Sequence, residues 1–158
     1  MPRTTRRQAL VTVAVASTIY AQQQPSTLSA RRYEALAAAL DQIIPASDTP
    51  GALGAGVPAL VDYDAARQDW RVQLEAALDF LIEDGFLDAN AFGKEAILTG
   101  YMNDGEERGD AFRLLKELAV DYYYSTRIGL ADELGYQGGT YLAEFHGCTH
   151  PEHQDSGR

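Results

Sequence analysis

AFRLLKELAVDYYYST, residues 111–126, decides the fold class. At about 100° per residue, Phe112, Leu115, Leu118, Ala119 and Tyr122 fall on one face, the mark of an amphipathic helix. No stretch of the 158 residues alternates apolar and polar side chains as a half-buried strand would. The same helical spacing recurs on both sides. The chain therefore reads as all-α, with about five helices, no internal repeat and a Gly-rich irregular C-terminal tail.

Before residue 111, MNDGEERGD (102–110) is a charged, Gly-containing loop. Asp88 is placed to cap a shorter helix carrying Phe92, Ile97 and Leu98. Asp84-Gly85 breaks a longer helical pattern that begins near Pro58, with Trp70, Leu74, Ala77, Leu78 and Leu81 on one face. PASDTPGALGAGVP (45–58) is a Pro/Gly-rich loop, and Pro58 suits the first turn of the helix after it. Ser29 is expected to cap a helix from about Ala30 to Ile44, striped by Tyr33, Leu36, Leu40 and Ile43 and ended by Pro45. After Gly129, the glycines at 135, 138, 139 and 147 break any regular pattern.

The first residues are different in kind. Arg3, Arg6 and Arg7 precede an uncharged, moderately apolar run from Ala9 to Tyr20, and no acidic residue occurs before Glu34. The run is too short to span a bilayer, which needs about 20 residues. It fits an export signal ending near Ala21. The domain reading is thus a twin-arginine-type signal over 1–21, a polar linker over 22–29, and one helical domain over 30–158. Losing the signal would take the formal charge from −10 to −13. So acidic a body disfavours phosphate backbones and anionic lipid, and nucleic acid is not an expected partner.

The chemistry-bearing residues are few. GALGAG (51–56) has the wrong glycine spacing for a dinucleotide fingerprint and follows a helix rather than a strand. Adjacent acids (Asp62/Asp64, Glu83/Asp84, Glu106/Glu107) read as solvated. EFHGCTHPEH (144–153) gathers His146, Cys148, His150 and His153, the only histidines and the only cysteine. A zinc site usually draws ligands from well-separated elements, so this cluster reads as tail residues rather than a metal site. Two other roles stay open for it: a stand-alone secreted metal-binding domain, or Cys148 as a nucleophile beside His146 or His150. In an exported chain a lone cysteine is either a free thiol or half of an intermolecular bridge. In the Tyr122-Tyr123-Tyr124 run, Tyr122 lies on the apolar stripe and Tyr123 at its edge. Tyr124 points roughly opposite, and is expected to pack on a partner or beneath the tail.

Several stretches, in order, resemble the small third subunit of the membrane-associated gluconate 2-dehydrogenase family. They are Arg6-Arg7; ALDQIIPASDTPGALGAGVPALVD (39–62); Tyr124-Ser125 followed by Gly129; Leu134-Gly135-Tyr136 with Gly138; and a late cysteine, Cys148. Ala9 in the export motif and the histidine-rich end depart from the family pattern. The resemblance implies a non-catalytic subunit with no cofactor of its own. Its partner would be a large catalytic subunit carrying FAD, which oxidises a sugar or sugar acid. A multihaem cytochrome c subunit would pass electrons to the membrane.

The chain itself has no flavin fingerprint and no C-x-x-C-H haem site. The small subunit would serve export and maturation of the large one, in the periplasm, touching the membrane only through its partners. On that reading Cys148 is expected to form an intersubunit disulfide, with Tyr123, Tyr124 and Phe145 at the interface.

Overall fold

Every helix expected from the periodicity forms, and one of them becomes two. The structure, a computed structural model, describes residues 25–138. Along them run α1 (Ala30–Ile43), α2 (Val57–Ala65), α3 (Arg71–Glu83), α4 (Ala91–Met102) and α5 (Glu107–Ser125). A short helical turn of π type, Ile128–Glu133, follows. No strand occurs among the described residues, and the all-α class stands.

Local chemistry sets most of the boundaries. Ser29 caps α1, its hydroxyl accepting from the Arg32 N–H at 3.4 Å. Pro58 sits in the first turn of α2. Asn90, rather than Asp88, caps α4 by accepting from the Gly93 N–H at 2.9 Å. The Asp88 and Ala89 N–H groups both donate to the Gly85 carbonyl at 3.1 Å, which curls the chain into a turn. Asn90 is the residue with the extended backbone that a cap requires.

The helix expected from Pro58 to Glu83 breaks over residues 66–70. Val61 and Ala65 are buried on α2, and Leu74, Leu78 and Leu81 on α3. In one continuous helix, at about 100° per residue, Leu74 would sit half a turn around from Ala65. Only a break lets both sets face one core. The other shift is at α5, which starts in the segment expected to be a loop. Glu107 and Asp110 lie in its first turn, where acids favour the positive end of the helix.

The core lies between α1 and α5, each of which packs against the other four helices. Leu36, Leu40, Leu74, Leu78, Leu81, Phe86, Leu115 and Tyr123 are its largest fully buried side chains. The stripe of α5 is rotated from the expected one. Tyr123 is 0% exposed, whereas Tyr122 is only half-buried. The turn at Ile128–Glu133 and the loop after α1 cover the Tyr123 side, which periodicity within one helix cannot reveal.

Candidate interaction surface

The loop after α1 and the end of α5 meet at one polar corner. Tyr123 Oη lies 2.6 Å from Glu133 Oε2 and 2.9 Å from the Pro50 carbonyl. Its single proton goes to the carboxylate, the shorter and charge-assisted contact. Tyr124 donates to the other Glu133 oxygen at 3.0 Å, and Thr49 Oγ1 to Oε2 at 3.2 Å. The two tyrosine rings stack edge to face, 5.2 Å apart. These hydroxyls hold the Glu133 carboxyl below the usual range. Burial first, then the Glu133 bond, pushes the Tyr123 phenol up. For Tyr124 the Glu133 bond leads. Phenols held protonated donate; they do not act as bases.

Two glycines make this corner possible. A Cβ on Gly51 would fall on the Ile44 carbonyl oxygen and the backbone of Pro45 and Ala46. One on Gly129 would fall on the Tyr123 carbonyl and ring. Both contacts are with atoms that cannot swing away.

A second tie fixes the entry of the chain. Asp62, 3% exposed, is the buried charged side chain among the described residues. Its carboxylate accepts from the N–H groups of Ser26 (2.6 Å), Thr27 (3.2 Å) and Leu28 (2.7 Å), and from the Ser26 hydroxyl (2.8 Å). Residues 26–28 are therefore a bound strap rather than free linker. Its neighbour Asp64 accepts from Tyr122 Oη at 2.8 Å, and burial followed by that bond pushes the phenol up to about 12. Asp84 accepts from Tyr101 Oη (2.6 Å) and Arg108 (2.9 Å), joining the ends of α3, α4 and α5.

Three acids expected to be solvated are thus structural ties. The signal for Asp62 was its phase: it follows Val61 and precedes Ala65 on the buried face of α2.

Two grooves among the described residues have mainly apolar walls. One, of about 590 Å³, runs between α3 and α5, walled by Trp70, Ala76, Phe80, Ala111 and Leu114 and edged by Glu107 and Asp110. The other, about 390 Å³, lies between the C-terminal ends of α1 and α4 and the middle of α5, with Ile44, Leu98, Met102, Phe112 and Val120. Trp70, expected on the helix stripe, instead ends the α2–α3 link and lines the first groove.

Of the residues singled out in the sequence, Tyr123 is core and Tyr124 half-buried against the Ile128–Glu133 turn. Arg6, Arg7, Phe145, His146, Cys148, His150 and His153 lie outside the described residues. The described residues hold no histidine or cysteine and no group of three or more side chains suited to a metal. No helix among them is long and apolar enough to cross a membrane.

The family model of gluconate 2-dehydrogenase subunit 3 matches residues 30–139, from the start of α1 to just past the π-type turn. The chain belongs to this family. No curated protein and no solved structure matches it.

Proposed function

We propose that this member of the gluconate 2-dehydrogenase subunit 3 family is the non-catalytic small subunit of an FAD-dependent sugar or sugar-acid dehydrogenase complex. It carries the twin-arginine export signal at Arg6-Arg7 and is needed for folding, maturation and secretion of the flavin subunit. The observation that carries this reading is the family match, which spans the whole helical body. The described chemistry agrees with it: the tyrosines, acids and arginines of the two polar ties hold helices together.

FAD belongs to the large partner, and haem c to a cytochrome subunit where the complex has one. A flavoenzyme that acquires FAD in the cytoplasm must cross the membrane folded. A partner that binds it first and carries the signal lets it do so, which places the complex in the periplasm, membrane-associated through its other subunits. Tyr124 and Phe145 belong to the docking face, with Tyr123 supporting it from beneath, and Cys148 bridges to the large subunit.

Co-purification tests this. The tagged chain should bring down a yellow flavoprotein, and a non-reducing gel, with alkylation from the start, should show one band that separates on reduction. A chain that purifies alone with bound zinc would instead favour the tail histidines as a metal site.

A further inference from the structure

The groove between α3 and α5 has a direction. Arg108, at the start of α5, pairs with Asp84 just past the end of α3 and lies 5.2 Å over the Phe80 ring, so the two helices run antiparallel. Trp70 and Leu114 therefore mark one end, and Phe80, Glu107 and Asp110 the other. The distance between them is about 15 Å, from the rise along α3. One end is apolar and the other is acidic. Asp110 pairs with Arg113 on its own helix, and Glu107 makes no ion pair among the described residues.

The strap ties the start of the described chain to α2, whose Asp64 accepts from Tyr122 of α5, on the Leu114 side of the groove. Ser26 is bonded to Asp62, and Trp70 follows after the last turn of α2 and a short link, within about 25 Å along the chain. Residues 25–138 hold 9 of the 13 Lys+Arg and 20 of the 23 Asp+Glu, a net −11, while residues 1–24 carry +3 and no acid. Going back from residue 25, the order is the uncharged run Tyr20 to Ala9, then Arg7, Arg6 and Arg3. That is the order of the groove, apolar first and acidic last. From Tyr20 to Arg7 is about 20 Å at helical rise, enough to reach from one end to the other.

We propose that the α3–α5 groove is a docking site for this chain's own N-terminal segment, residues 3–20. The apolar run lies on Trp70, Ala76 and Leu114, and the arginines face Glu107 and Asp110. Docking would mask the segment on the folded body until transport or a partner draws it out. That consequence rests on residues 1–21 being an export signal; the docking itself does not.

Trp70 is the only tryptophan, so its fluorescence reads the groove directly. The full, uncleaved chain should show Trp70 shielded from acrylamide. Replacing Arg3, Arg6 and Arg7 together with Glu should raise the quenching constant about twofold or more, with helicity by circular dichroism unchanged, because the undocked population grows. Adding Glu107→Lys and Asp110→Lys to that variant should restore the shielding. In 1 M salt, where charges are screened beyond about 3 Å, the wild-type should approach the variant. Equal quenching in wild-type and variant would overturn the proposal, as would shielding lost on dilution, which would assign the groove to a second copy. Shielding seen only after adding the flavin subunit would overturn it too, and give the groove to that partner.

Arg6→Lys with Arg7→Lys separates the two readings. It keeps the charge, so Trp70 stays shielded, while export through a twin-arginine signal stops.

Discussion

The two sides of α5 differ in what they leave unfinished. Its C-terminal end closes against the loop after α1, where Tyr123, Tyr124, Thr49 and Glu133 satisfy one another and glycines 51 and 129 admit no side chain. Its N-terminal half leaves a groove walled by apolar side chains and edged by acids. The corner holds the fold together, since its polar groups are spent on neighbours in the same chain. The groove is where the body can still gain by covering apolar surface, at about 25 cal/mol per Å².

Substitutions should separate the two. Tyr123→Ala empties a fully buried aromatic site and should cost about 3–5 kcal/mol in urea unfolding. Asp62→Ala leaves the strap amides without their acceptor and should cost about 1–3 kcal/mol, less where the strap detaches to water. Hydrogen exchange at Ser26, Thr27 and Leu28 should speed up well before the core does. Ala76→Asp, exposed on the floor of the groove, should move stability by only about 0.5 kcal/mol, the difference in helix propensity. It should nevertheless abolish shielding of Trp70, because docking over it would bury an unpaired charge.

The corner also carries a pH signature. The Glu133 carboxyl is lowered by its tyrosine donors, so its contribution is present above the unfolded value of about 4.3 and fades as pH falls toward the folded one. Wild-type should lose stability through that acid range, and Glu133→Gln should flatten that part of the profile, as read by thermal melts at a series of pH values.

How far the sequence foretold this depends on where the information sits. The cap at Ser29, the proline at the start of α2 and the stop at Asp84-Gly85 are local chemistry and were legible. The break between α2 and α3 was not, because no glycine or proline marks residues 66–70. The clue was a change in hydrophobic phase between Ala65 and Leu74. The burial of Tyr123 over Tyr122 depends on what packs from outside the helix, and Asp62 looked solvated because its partners are backbone groups far away in sequence. The family match agrees with the motifs: PASDTPG and the Tyr124…Gly129 stretch, far apart in the chain, form the same corner.

The most direct test of the account is the location of the flavin subunit. In cells expressing both subunits, Arg6→Lys with Arg7→Lys in this chain should leave the catalytic flavoprotein in the cytoplasm, with no sugar-oxidising activity in the periplasmic and membrane fractions. Flavoprotein and activity reaching the periplasm undiminished would contradict the central claim.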